Sequence, residues 1–85
     1  MFYTYALESL RDRKLYIGFT SDLKKRFSEH QAGKVISTRS RRPLRILFYE
    51  AFRSDVDAKR RERYFKTTKG KSSLRQMLRC CLEMS

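Results

Sequence analysis

The chain has 85 residues, room for one domain with a modest core and none for a second. Six Phe, five Tyr and a 40% hydrophobic content exclude a disordered chain despite a charged fraction of 35%. Lys and Arg number 21 against 9 Asp and Glu, a formal net charge of +12 that calls for a polyanionic partner. With no membrane-length apolar run and no signal-peptide pattern, the expectation is a cytoplasmic protein that meets nucleic acid and no membrane.

Phe2 to Glu8 alternates, with Tyr3, Tyr5 and Leu7 on one side and Phe2, Thr4 and Ala6 on the other, the two-residue period of a strand. Leu15 to Phe19 repeats the pattern after a short polar stretch, so the two strands are expected to pair antiparallel as a hairpin. A loop symmetric about Leu10 and Arg11 puts Tyr5 directly opposite Tyr16. Ser21 is the expected N-cap of the next helix, with Asp22 in its first turn. Leu23 and Phe27 lie four apart, Arg26 and His30 share a face, and Gly33 ends the run. Residues 34 to 42 are polar and basic, close at Pro43, and read as a loop. Leu44, Ile46, Phe48 and Phe52 mark a third strand. Ser54 caps a second helix, with Asp55 and Asp57 at its positive end and Ala58, Glu62 and Phe65 along one face. Gly70 is expected to break that run. Leu74, Met77, Leu78, Cys81 and Leu82 then form a last amphipathic helix, in which Cys80 and Cys81 are unpaired packing residues. The result is one α+β domain over residues 1–85: a small three-stranded antiparallel sheet flanked by helices, in the order β-β-α-β-α-α.

Tyr3-Thr4-Tyr5, then Tyr16-Ile17-Gly18, then Arg26 and His30, then Glu62 form an ordered series. It resembles the motifs of the GIY-YIG nuclease superfamily over nearly all of residues 2 to 80. The likeness is greatest to compact stand-alone members that are UvrC-like, related to the N-terminal nuclease domain of that excision-repair protein. The resemblance implies a metal-dependent DNA endonuclease, structure-specific or weakly sequence-specific, working in repair or recombination. Phosphodiester cleavage needs a deprotonated nucleophile, a cation on the phosphate oxygens and help for the leaving oxygen. By resemblance, Tyr5 is the general base, Tyr16 positions water or phosphate, and Arg26 clamps the scissile phosphate. His30 takes the proton from Tyr5 or orients it, and Glu62 holds one Mg²⁺ or Mn²⁺ together with waters and phosphate oxygens. An unperturbed phenol, with a pKa of about 10, is protonated at neutral pH, so Tyr5 needs help to act as a base. Spacing alone also describes Glu62 as an ion-pair partner of Lys59 or Lys66, Tyr16 as a core tyrosine, His30 as a packing residue and Arg26 as solvated surface.

Arg39, Arg41, Arg42, Lys59, Arg60, Arg61 and Arg63 are candidates for sequence-independent contacts to the DNA backbone. No base-reading recognition helix is evident, so branched or damaged DNA is the expected substrate rather than a defined sequence. The first motif lacks its glycine and isoleucine, and the chain contains no asparagine, a residue many relatives place beside the metal-binding glutamate. No appended DNA-binding domain is evident, so a protein partner or homodimer is expected to supply affinity. Two other readings fit the same charge and aromatics: a DNA-binding or partner-recruiting module that does not cut, and a small basic RNA-binding protein.

Overall fold

The computed structural model describes residues 1–83. Its sheet has the order β2-β1-β3, with β1 (Phe2–Ser9) paired antiparallel to both β2 (Leu15–Thr20) and β3 (Leu44–Phe52). The helices are α1 (Leu23–Gln31), α2 (Ile36–Arg39), α3 (Asp55–Phe65), α4 (Thr68–Met77) and α5 (Arg79–Glu83). The expected α+β order is present, with α2 and α5 as short additions.

The alternation in β1 sends its side chains into two separate clusters. Tyr5 and Leu7 join Leu44, Tyr16, Leu23 and Phe27 beneath α1. Ala6 and Ile17 join Phe65, Leu74 and Phe48 beneath α3 and α4. Because β1 is central and covered on both faces, Thr4 through Ser9 are all buried. Thr4 lies on the α3 side, where its hydroxyl donates to the Ala58 carbonyl at 2.6 Å and so is satisfied despite full burial.

The hairpin register departs from the symmetric-loop expectation. Tyr5 lies opposite Gly18, and Leu7 lies opposite Tyr16. The turn closes between Ser9 and Lys14, with Ser9 N–H donating to the Lys14 carbonyl and Arg13 at φ 64°. Its centre is therefore one residue further along than Leu10 and Arg11. The shift moves the partner by two residues, which preserves the face, so Tyr5 and Tyr16 become diagonal neighbours with ring centroids 6.3 Å apart.

Other boundaries also move. Asp22, not Ser21, caps α1 by accepting from the Lys25 N–H at 3.1 Å. Residues 34 to 42 are not all loop: α2 forms there, burying Val35 and Thr38. Gly70 does not break a helix. Thr67 caps α4, and Gly70 is buried inside it where a Cβ would collide with the Tyr64 carbonyl oxygen, so α4 can lie against α3 only with glycine there. The last helix divides at Leu78 into α4 and α5. The break changes the helical phase and leaves Cys80 exposed rather than packed, with Cys81 partly covered. Glu8 is buried at the far end of β1, where Arg45 of β3 donates to it at 2.6 Å and also reaches the Cys81 carbonyl of α5 at 3.4 Å.

Candidate active site

Gly18 decides where the Tyr5 ring goes. A Cβ at Gly18 would overlap the Cζ and hydroxyl of Tyr5, so the bare backbone opposite Tyr5 is what lets the phenol lie across β2. The Tyr5 hydroxyl then meets His30 Nε2 at 2.9 Å, and His30 Nδ1 lies 2.8 Å from the Thr38 hydroxyl. All three residues are buried, Tyr5 to 1% exposure and His30 and Thr38 to 0%. The chain of contacts thus runs from β1 through α1 to α2.

Burial, reinforced by the charge of Arg26, pushes the His30 pKa below its ordinary value against a smaller opposing pull from Glu29. His30 is therefore neutral at pH 7, with one ring nitrogen donating and the other accepting. Both hydroxyls can donate or accept, so two tautomers satisfy the chain: in one Tyr5 donates to Nε2 and Nδ1–H donates to Thr38, and in the other both bonds reverse. Burial likewise pushes the Tyr5 phenol up to about 12, and the nearby Tyr16 and Glu62 add to the rise. Arg26 beside the hydroxyl pulls the other way and is outweighed.

Tyr16 packs edge-on to His30, with centroids 5.1 Å apart, closing a three-ring cluster with Tyr5. Arg26 is half-buried, and its guanidinium donates to Glu29 at 3.2 Å. Its pKa, lowered by burial, is raised on balance by Tyr5 and Glu29, so it is always charged. Four of the five residues expected to converge, Tyr5, Tyr16, Arg26 and His30, are therefore gathered around one phenol. Glu62 enters from α3 and lies close enough for its charge to register at Tyr5. It also makes the intrahelical ion pair its spacing allowed, with Lys66 at 3.2 Å rather than with Lys59.

A family model described as the GIY-YIG catalytic domain matches residues 1–76. The chain belongs to the GIY-YIG family. UPF0213 proteins of Streptococcus pyogenes serotypes M3 and M1 are each 46% identical to it over 71 residues, 82% of this chain and 76% of theirs. The solution NMR structure of the UPF0213 protein BH0048 from Bacillus halodurans is 34% identical and has a TM-score of 0.57. That match covers 91% of this chain and 85% of that one. The family is nuclease-like, which fits a chain with a formal net charge of +12.

Two residues of this GIY-YIG site escape sequence reading. Gly18 was legible as a motif letter, but the collision that requires glycine depends on the register. Thr38 lies in a segment without periodicity and reaches His30 only because α2 forms. Among the basic candidates, Arg61 is bound to Glu50 at 2.8 and 3.3 Å and stacks on Phe65, while Arg41 pairs with Asp12 at 3.5 Å. Arg39 and Arg42 donate to the carbonyls of Gly33 and Arg39, each at 2.9 Å. Lys59 and Arg60 pair with Asp55 and Asp57 on their own helix, and Arg63 is exposed.

Among the described residues, no three His, Cys, Asp or Glu side chains gather into a metal cluster. A single carboxylate still suits Mg²⁺ or Mn²⁺, since such ions keep several waters and complete their shell with substrate phosphate. Glu62 is near enough for its charge to register at Tyr5, and its partner Lys66 is exposed and exchangeable. No helix among the described residues is long and apolar enough to cross a membrane.

Proposed function

We propose that this protein is a divalent-metal-dependent DNA endonuclease that cleaves phosphodiester bonds of branched or damaged DNA, with structure-specific or weakly sequence-specific recognition, in repair or recombination. The observation that carries the proposal is the buried Tyr5 hydroxyl held at 2.9 Å from a neutral His30. With its pKa at about 12, Tyr5 is not ionised beforehand. It acts as a relay: its oxygen takes a proton from the attacking water while its own proton passes to His30 Nε2, and the resulting imidazolium is oriented by Thr38 through Nδ1–H. The hydroxide so formed attacks phosphorus, and the bond to the leaving oxygen breaks. Arg26, fixed by Glu29, faces the charge that grows on the phosphate oxygens, and Tyr16 positions the water or phosphate against the His30 ring. Glu62 would hold the cation, Mg²⁺ or Mn²⁺, which would withdraw charge from the phosphate and stabilise the departing oxygen. Of the basic candidates, Arg39, Arg42, Lys59, Arg60 and Arg63 are exposed and meet backbone phosphates, whereas Arg41 and Arg61 act first on the fold through Asp12 and Glu50. A protein partner or a homodimer supplies additional affinity. We assign this work to the cytoplasm.

The 1% exposure of Tyr5 favours one competing reading, a DNA-binding module that does not cut. A nicking assay separates the two, using branched, damaged and plain duplex DNA with Mg²⁺ or Mn²⁺ beside Glu62→Ala. Nicking by the wild type, with a variant that binds but does not nick, supports the enzyme. Binding without nicking on every substrate supports the module.

A further inference from the structure

Lys14, Lys71 and Arg75 surround a cavity of about 210 Å³ whose floor is made by Leu15, Ile17 and Leu74. Some cations elsewhere on the surface are partnered: Lys59, Arg60, Arg61 and Lys66 all sit on carboxylates. Among the described residues, none of the three side chains around this cavity has a carboxylate within ion-pairing distance. Asp12, the acid nearest to Lys14 in sequence, accepts the Lys14 backbone N–H and pairs with Arg41.

The local helix chemistry adds to the positive potential at this cavity. The first turn of α3 carries Asp55 and Asp57, as the positive end of a helix favours, whereas α4 opens with Lys69 and Lys71 and has no acidic residue in its first turn. Cations at that end work against the helix dipole. Thr67 caps that end without an anionic charge, so positive potential remains there for a ligand to meet.

The position relative to the Tyr5 centre suggests which ligand. β2 is an edge strand, so its side chains border both faces of the sheet. Tyr16 and Gly18 lie with Tyr5 on the α1 side, while Leu15 and Ile17 point to the cavity on the α4 side. From Gly18 to Leu15 is roughly 10 Å along the strand at ~3.3 Å per residue. That is about three nucleotide steps at the ~3.4 Å rise of one DNA strand. Three separated cations over an apolar floor match successive phosphates with a sugar between them better than one free anion.

We propose that Lys14, Lys71 and Arg75 form a second DNA-backbone site that holds a bound strand around the β2 edge, a few nucleotides from the Tyr5 centre. The site rests on the reading of this protein as one that binds DNA, and not on its cutting it. Its contacts are to phosphate, so it adds affinity without sequence preference.

The test is the salt dependence of binding to a short DNA duplex, measured by fluorescence anisotropy in buffer containing chelator, so that no cleavage intervenes. The triple variant K14Q/K71Q/R75Q is compared with wild type and with the charge-matched variant K34Q/R53Q/R79Q. All six residues are exposed, and circular dichroism checks that both variants fold. Each phosphate contact contributes about 0.9 to the slope of log K against log salt, so the first variant should lose about 2 to 3 from that slope and the control less than about 1. Equal slopes for the two variants overturn the site while leaving DNA binding intact. A wild type that binds no DNA overturns both this site and the endonuclease reading. A slope loss seen on structured RNA and absent on DNA overturns the assignment of DNA as ligand. Normal slope loss in a protein that never nicks DNA supports this site and sinks the endonuclease alone.

Discussion

At Tyr5, burial and a hydrogen bond pull in different directions, and the balance sets how the group titrates. Its pKa of about 12 against an ordinary 10 means that the folded state holds the phenol proton more tightly than the unfolded chain does. The stability this brings is complete below pH 10 and is lost as pH rises toward 12. Tyr5→Phe should remove that alkaline slope from a chemical-denaturation series. His30 has the opposite sign: its lowered pKa means that the unfolded chain binds the proton more readily, so stability present above pH 6.5 falls as pH drops below that value. His30→Gln should flatten the acidic limb. Thr38→Val leaves a His30 nitrogen unpartnered in a buried site, which should cost about 1–3 kcal/mol. The ¹⁵N shifts of the His30 ring should then show mixed tautomers in place of one. A single unchanged tautomer in Thr38→Val would mean that Thr38 does not orient the ring. The residues around the phenol were legible one by one, because Tyr5, Tyr16, Arg26 and His30 follow an ordered spacing. Thr38 was not, since its contact with His30 spans eight positions and depends on a turn with no hydrophobic period to announce it.

Strand register and helix contact are where local sequence loses its hold. The alternation of β1 and β2 identified both strands and the faces of Tyr5 and Tyr16. The pairing partner depends on the turn, which places Arg13 rather than a glycine or asparagine in the left-handed region and so carries no recognisable signal. Gly18, read as a motif letter, and Gly70, read as a helix breaker, show the same limit: each is a point of close approach between elements. Gly18→Ala should push the Tyr5 ring off His30 and destabilise the fold by about 1–3 kcal/mol, read as a lower denaturation midpoint. At the opposite end of β1, Arg45 ties the buried Glu8 of β1 to β3 and reaches α5. Arg45→Met leaves that carboxylate only the more distant Arg13, at 3.9 Å. A buried pair broken on one side costs about 3–5 kcal/mol, reduced here to about 2–3 because the Arg45 side chain is 33% exposed. A midpoint unchanged by Arg45→Met would show that Glu8 is satisfied without it.

Across the whole molecule, a charge of +12 is divided unevenly between cations that hold the fold and cations left for a partner. Arg41, Arg45 and Arg61 belong to the first group, with Asp12, Glu8 and Glu50 as their anions. Composition showed the total and the need for a polyanion. It did not show the division, because pairing between α3 and β3, or between the hairpin turn and the segment after α2, is set by the tertiary fold. Glu62 stands between the two groups, paired with Lys66 yet near enough to Tyr5 to raise its pKa. The proposed proton relay at Tyr5 is the feature on which the catalytic reading depends, and a single-turnover nicking rate for Tyr5→Phe, at DNA and metal concentrations that saturate the wild type, probes it directly. Loss of the general base should slow cleavage by about 10²–10⁴-fold with DNA affinity retained. Cleavage by Tyr5→Phe within a few-fold of wild type would contradict a Tyr5–His30 relay.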